Sequence, residues 1–372
     1  MGFQDTISIL EPRPSLLFLS GREPEYIRNR VLIKALKTHF RVIVLTSKSS
    51  GIVSRMLLSL GKFLKLRRSQ NYDICVAGFY GQPIAIALSF LQKKPIILDA
   101  YVSTFDTLCE DRQLFHAQSL MGKLAAWLDR YSCKVANHVI TDTQADAEYF
   151  HNNFDVPVDK ISPIYVGCDE EVFYPREISL DDENVFEIFY YGSFLPLHGT
   201  EVIIQAAALL GTRPEIHFTL GGAGAKYDLI VNMVSEMGLE NVDLVGWIPL
   251  EKIPNYIVQA DVCLGGHFST IPKAGRVIST KTFQFIAMRK PTIVGDNAAT
   301  REVFTDGVNI LAVSMGDPKS LAEAIIRLLD DHALRSRIAR GGYGVFTQRA
   351  TTEVIAEQLL KIIEETLCVS VS

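Results

Sequence analysis

The sequence predicts an α/β protein of two doubly wound, Rossmann-like domains facing across a cleft. Three observations carry that reading. The chain has 372 residues, too many for one ordinary core and suited to two α/β domains of roughly 150–200 residues each. Short, continuously apolar runs alternate with helical patterns along it, as in parallel sheets covered on both faces. The alternation is interrupted once, by an acidic, irregular stretch in mid-chain.

The first series comprises SLLFLS (15–20), RVIVLTS (41–47), YDICVAG (72–78), PIILDA (95–100) and HVITDT (138–143) as strands. An amphipathic helix runs through Leu36, AIALSF opens another, and a long helical region is expected from about Gln113 to Val135. This unit ends near Val158. The segment ISPIYVGCDEEVFYP (161–175) and the acidic REISLDDEN after it form the candidate hinge. The second series is FEIFYYG, IHFTLGG, VDLVGW, VCLGG, PTIVGD and NILAV, with helices following from Thr200, Asp228, Ile253, Lys281 and Lys319. Each of these strands ends in glycine or a small residue, where a ligand could approach the carboxyl edge of the sheet. The division that results is an N-terminal domain over 1–165, a C-terminal domain over 166–350, and a final helix over 351–372 packing back toward the N-terminal domain.

Composition narrows the function classes. A net charge of −5 argues against a nucleic-acid binder. The cysteines at 75, 109, 133, 168, 263 and 368 show no zinc spacing and read as reduced thiols of a cytoplasmic protein. The N-terminus has no secretory pattern, and its Met-Gly start gives no convincing myristoylation site. The longest apolar run, Pro83 to Leu91, is too short to cross a bilayer.

The segment IFYYGSFLPLHG (188–199) carries the most chemistry. A β-branched and aromatic run ends at Gly192, and Gly199 opens the helical pattern TEVIIQAAALL. Strand, loop and helix N-terminus in that order suit an anion such as a phosphate. Between the two glycines stands no arginine or lysine, only His198.

With this loop in place, six segments from Ile164 to about Val313 resemble the retaining glycosyltransferases of family 4, which have the two-domain GT-B fold. They are IYVGCDEEVFYP, GSFLPLHG, LGGAG (220–224), VGWIP (245–249), KTFQFIAMRKPTIVGD (281–296) and TREVFTDGVNILAV (300–313). Each alone is weak, because glycine loops after strands are common; their order and spacing together are specific. The N-terminal half resembles the family only in its strand–helix pattern. The resemblance implies a hexosyltransferase-type enzyme that moves a sugar from a nucleoside-diphosphate donor to a saccharide or lipid-linked saccharide, in cell-surface polysaccharide assembly. Such enzymes use the nucleotide sugar as co-substrate, without a further cofactor or a metal ion, and no Asp-any-Asp motif occurs here.

The resemblance assigns roles residue by residue, and this chain departs from it. The base would lie against Trp247 and Ile248, though Trp247 could equally be a core residue. Gly221, Gly222 and Gly224 would shape the second loop. In the first loop the family carries an arginine after its first glycine and a lysine before its second; here these positions are Ser193 and His198. Ser193 brings a hydrogen bond without charge, and His198 brings charge only when protonated. The family's paired glutamates fall on Arg276 and Gln284. Gln284 could accept ribose hydroxyls through its amide oxygen. Lys273, Arg276 and Lys281 stand together before a helix, either restoring the missing charge or forming a solvated basic loop.

In the N-terminal half, PIILDAYVS resembles the family's strand ending in Asp-any-His, with Tyr101 at the histidine position. Asp99 and Asp106 are candidate carboxylates on the acceptor side, Asp99 with a catalytic role. The loop SGREPEYIRNR (20–30) offers Gly21, Arg22 and Arg28 as cleft residues, or simply as a charged helix start. SRMLLSLGKFLKLRRS (54–69) is basic and amphipathic. It reads either as a surface that rests on the inner, anionic face of a membrane, making the protein peripheral, or as a helix with a solvated basic face. The other-class alternative is a non-catalytic sugar-nucleotide or glycan-binding homologue.

Overall fold

The computed structural model describes residues 13–49, 51–176 and 185–371. Most of the acidic hinge candidate lies outside these residues, as does the Met-Gly start. The chain separates into two units. The first comprises residues up to Cys109, Gln113–Tyr165 and the C-terminal stretch from Thr352; the second comprises Val166–Thr351 with Glu110–Arg112.

In the first unit the elements follow in the order β1 (Ser15–Leu19), α1 (Ile27–His39), β2 (Arg41–Val44), α2 (Ile52–Leu66), β3 (Ile74–Ala77), α3 (Gln82–Leu91) and β4 (Ile96–Asp99). After these come α4 (Leu120–Val135), β5 (His138–Thr141), α5 (Gln144–Phe154) and β6 (Ile161–Pro163). The strands form one parallel sheet in the order β2-β1-β3-β4-β5-β6. Residues 16–19 are apolar and wholly buried, each side chain contributing about 1.5–3 kcal/mol. One face of the sheet packs on α1 and on α13 (Thr352–Val371), whose Ile355, Leu359 and Ile363 meet Val31, Leu32 and Leu36. The other face carries α2, α3, α4 and α5 around Phe63, Leu88, Cys133 and Phe150.

The second unit repeats the plan with β7 (Phe186–Gly192), α6 (Thr200–Leu209), β8 (Ile216–Gly222), α7 (Tyr227–Glu236), β9 (Val242–Gly246), α8 (Ile253–Gln259) and β10 (Val262–Leu264). It continues through α9 (Thr280–Ala287), β11 (Thr292–Gly295), α10 (Ala298–Val303), β12 (Leu311–Val313), α11 (Pro318–Asp330) and α12 (His332–Arg349). Its parallel sheet runs β12-β11-β10-β7-β8-β9. Strand order therefore reverses beside β7, and beside β1 in the first unit. In open α/β sheets the loops at such a reversal are where ligands bind.

The strands fall where the apolar runs place them. Two elements differ from the sequence reading, and a third, α12, has no counterpart in it. The α4 helix starts at Leu120, not Gln113, because the Ser119 hydroxyl accepts the Gly122 N–H at 3.1 Å and caps it there. Ile161–Pro163, assigned above to the linker, pairs with β5 as an edge strand. The α12 helix passes through Gly341, Gly342 and Gly344, residues that each cost about 1 kcal/mol relative to alanine in a helix. Tertiary packing overrides that cost: a Cβ on Gly341 would lie 2.5 Å from the Val308 carbonyl oxygen, and one on Gly342 would lie 2.9 Å from the Ile286 side chain.

Candidate functional site

In the second unit β7 delivers the chain to Gly192, a short turn spans Pro196–His198, and α6 begins at Thr200. No side chain caps α6, so its first amides stay available to an anion. Gly199 precedes the helix at φ 67°, and a Cβ there would lie 2.4 Å from the Ser269 backbone nitrogen. Only glycine permits both that conformation and that approach. The two loops at the strand reversal are thereby tied together. Phe268 N–H donates to the His198 carbonyl at 3.1 Å, and Ser269 Oγ donates to the Leu197 carbonyl at 2.8 Å.

This seam brings His198 and His267 into a stack with ring centroids 5.5 Å apart. The Nδ1 atoms of both rings are buried without a hydrogen-bond partner among the described residues. Lys281, in the first turn of α9, is 6% exposed, and its Nζ lies 5.2 Å from the centre of the Tyr190 ring. No carboxylate pairs with Lys281 among the described residues, and burial pushes its ammonium down to about 7. The same charge acts on its neighbours. His198 is held well below the ordinary histidine range by burial, then by Lys281 and His267. His267 is pushed down to about 3 by burial, then by Lys281 and Lys273. A Cβ on Gly192 would lie 2.9 Å from the Tyr190 hydroxyl and 3.1 Å from His198 Nδ1, so the glycine opens directly onto these groups.

The second glycine loop abuts the first. A Cβ on Gly224, at φ 146°, would stand 1.8 Å from the Ser193 carbonyl oxygen; one on Gly222 would stand 2.0 Å from that of Gly192. Ser193 itself is exposed. Ile248 is buried and packs where a Gly221 side chain would be, whereas Trp247 is 70% exposed. That exposure sets aside the core reading of Trp247.

Lys273, Arg276 and Lys281 do not act as one cluster. Lys281 reaches the histidine pair, and Lys273 is buried close enough to bias His267. Arg276 terminates the turn Pro272–Gly275, its N–H donating to the Lys273 carbonyl at 3.0 Å, and biases neither histidine. The solvated-loop reading fails for Lys273 and Lys281, both 6% exposed. Gln284 is 2% exposed, and its Oε1 accepts the Tyr191 hydroxyl. The amide oxygen expected to meet ribose is thus engaged inside the protein.

In the first unit Asp99 is turned inward. Its carboxylate meets the Arg28 guanidinium at 2.8 Å, with both side chains wholly buried. Arg28 also donates to the Ile164 carbonyl at 2.8 Å, and its guanidinium lies 5.2 Å from the Tyr101 ring centre. This pair locks the end of β4 and fixes Tyr101; neither member is placed to meet a ligand. Asp106 is buried as well, its N–H bonded to Ser103 Oγ at 3.0 Å. Asp129 holds that loop by accepting from Ser103 Oγ at 2.7 Å, Thr104 N–H at 3.0 Å and Phe105 N–H at 2.8 Å. Gly21 and Arg22 lie at the reversal beside β1. Gly21 N–H donates to the Phe79 carbonyl at 3.0 Å, and Arg22 stacks 4.6 Å from the Tyr26 ring centre.

Comparison with known proteins bears on this geometry. Residues 17–172 match the family model described as Glycosyltransferase Family 4, and residues 186–331 match that described as Glycosyl transferases group 1. The chain belongs to the group 1 glycosyltransferases of family 4. Alpha-D-kanosaminyltransferase of Streptomyces kanamyceticus is 22% identical over 65% of this chain and 64% of its own length. A D-inositol 3-phosphate glycosyltransferase of a Nocardioides species is 22% identical over 56% and 49%. The matched stretches thus span about half to two thirds of these relatives. Among solved structures, sucrose-phosphate synthase of Thermosynechococcus elongatus superposes with a TM-score of 0.78 at 17% identity, over 96% of this chain and 100% of that one. Anabaena HepE with UDP and glucose gives 0.73 at 19%, over 95% and 100%. The fold is GT-B.

Within this glycosyltransferase family pattern, sequence reasoning missed His267 and Tyr190. His267 sits in no motif quoted above, and a lone histidine after a short strand carries little signal. The pointer available was positional: β10 is one of the two strands at the reversal, so its loop had to face that of β7.

Proposed function

We propose that this chain is a retaining glycosyltransferase that takes a nucleoside-diphosphate sugar and transfers its sugar to a saccharide or lipid-linked saccharide. The observation that carries the reading is Lys281. An ammonium held in low dielectric without a carboxylate is costly, and an anionic ligand at the uncapped end of α6 offsets that cost. Diphosphate charge brought there also favours protonation of His198 and His267, whose buried Nδ1 atoms await partners. Lys281 then takes over the part that the family gives to its first-loop arginine and lysine, and the protein's own charge replaces a divalent ion. Trp247 offers its open face to the base.

In the transfer, the acceptor hydroxyl attacks the anomeric carbon on the face from which the diphosphate departs. The sugar–phosphate C–O bond breaks, the new glycosidic bond forms, and the acceptor proton passes to the leaving phosphate. Lys281 and the helix end stabilise the charge developing on that phosphate. Tyr101 is the candidate hydrogen-bond donor to a sugar hydroxyl; Asp99, paired with Arg28, and Asp106, 2% exposed, are not carried forward.

Some relatives point to surface glycans. Two lipopolysaccharide core biosynthesis glycosyltransferases of Rhizobium meliloti, LpsE and LpsD, are each 25% identical over about half of this chain. They support an acceptor in cell-surface polysaccharide assembly. The test is turnover of a panel of uridine, guanosine and adenosine diphosphate sugars with and without acceptor glycans, in EDTA. Transfer that survives EDTA and falls at least tenfold in H198A supports the proposal. Donor binding without turnover on any pair would favour the non-catalytic homologue, and loss of transfer in EDTA would overturn the metal-independent reading.

A further inference from the structure

The outer surface of α2, α3 and α4 in the first unit combines exposed apolar side chains with a lack of exposed acid. The whole chain carries 42 acidic against 37 basic residues. In these three helices the one acidic residue is Asp129, which is wholly buried. The three lie on one face of the sheet, with α3 between the other two. Buried Arg55, Ser59 and Phe63 mark the inward side of α2. Its opposite side presents Val53 at 69% exposure and Leu57 at 65%, the four-residue spacing of a helical stripe. On α4 a second stripe presents Leu120 at 82%, Leu124 at 51% and Trp127 at 51%, with Tyr131 stacked on Trp127 at 5.3 Å between ring centres. Phe90, at 75%, stands at the end of α3.

Charge is laid out along the same surface. All three helices run back against the parallel strands, so their C-terminal ends gather at one edge of the sheet. Exposed Lys65 lies in the last turn of α2 and Arg68 just beyond it, Lys93 and Lys94 follow α3, and Lys134 lies in the last turn of α4. The result is an apolar, tryptophan-bearing patch with a basic rim and no exposed acid on the helices themselves. Arg130, paired with Asp155 at 3.0 Å, marks where acidic residues resume toward α5.

We propose that this face docks on an anionic lipid bilayer, with Leu57, Phe90, Leu124 and Trp127 entering the interface and the basic rim meeting lipid phosphates. Apolar area and cations act together in such binding, and either alone is weak. A protein partner of matching shape would equally bury the apolar patch, but the basic edge formed by Lys65, Arg68, Lys93, Lys94 and Lys134 favours a surface of uniform negative sign. The inference extends the basic segment 54–69 to two further helices and places an aromatic anchor on α4.

The test is sedimentation with phosphatidylcholine vesicles, with and without phosphatidylglycerol. A W247F chain, in which Trp127 is the remaining tryptophan, reports insertion through its emission. The expected result is binding to the mixed vesicles alone, weakened by salt, with a blue shift of Trp127. Neutralising one cation near the surface costs about fivefold in affinity, so K65E/R68E should lose roughly 25-fold or more. L124S/W127S, altered at half-exposed sites, should keep its melting temperature and lose most of its binding. Equal binding to both vesicle types, unchanged binding by K65E/R68E, or no binding would overturn the proposal. So would concentration-dependent dimers that shield Trp127 without lipid, which would assign the face to a second copy of the chain.

Discussion

Replacing Lys281 with methionine should stabilise the empty protein while weakening its grip on nucleoside diphosphates. Lys281 titrates near 7 in the folded chain against an ordinary 10.5. Below pH 7 both folded and unfolded chains carry the proton, and the folded chain bears the full cost of the buried charge. Between 7 and 10.5 the unfolded chain binds more protons, so the parent's stability rises with pH across that window. The depression corresponds to about 5 kcal/mol at about 1.4 kcal/mol per pKa unit, an upper bound once relaxation around the charge is allowed for. Methionine fills the same volume without the charge. K281M should therefore exceed the parent by about 2–5 kcal/mol at pH 6, a rise of several degrees in melting temperature for a unit of this size, shrinking toward zero near pH 10. Thermal melts of both chains across that range make the comparison. The same variant should bind nucleoside diphosphates roughly 30- to 1,000-fold more weakly, the usual loss on truncating one member of a buried charge pair. A variant that is destabilised equally at pH 6 and pH 10, or that keeps its nucleotide affinity, would refute the reasoning.

Three further outcomes follow from other parts of the structure. R28M leaves the Asp99 carboxylate buried and unpaired, and D99N leaves the buried Arg28 guanidinium without its counter-charge; each should cost about 3–5 kcal/mol in urea unfolding. G224A forces a Cβ to within 1.8 Å of the Ser193 carbonyl oxygen; it should weaken nucleotide binding at least tenfold and lower the melting temperature, because two backbone loops must separate. W247A removes a side chain that is 70% exposed, so it should leave the melting temperature within about a degree while lowering nucleotide affinity severalfold by calorimetry.

The fold was legible because period and punctuation agree. Runs such as LLFL, ICVA and IIL are continuously apolar, and each ends at a polar or glycine residue or turn, which specifies strands buried on both faces. What failed locally was decided by distant atoms. The α12 helix accommodates Gly341 and Gly342 because Val308 and Ile286 sit where their side chains would be. The site was legible in part. Gly192, Gly199 and Gly224 announce close backbone approaches, and the structure places a neighbouring loop against each. Lys281 was visible as one cation of three, but nothing local distinguishes it from Arg276; burial beside Tyr190 and the histidine pair does. Asp99 and Arg28 looked like ligand contacts because charge at a strand end often is functional. Their mutual pairing spans 71 residues and has no signature in the sequence. Gln284 likewise had the right position, with its oxygen satisfied by Tyr191, a partner 93 residues away.

The central claim is that Lys281 is the cation of a diphosphate site. Calorimetric titration of uridine, guanosine or adenosine diphosphate at pH 8, in buffers of different ionisation enthalpy, tests it most directly. Lys281 is mostly deprotonated there when the site is empty and regains its proton beside the diphosphate, so binding should take up about one proton more per chain in the parent than in K281M. Tight binding without proton uptake, or uptake undiminished in K281M, would contradict the account.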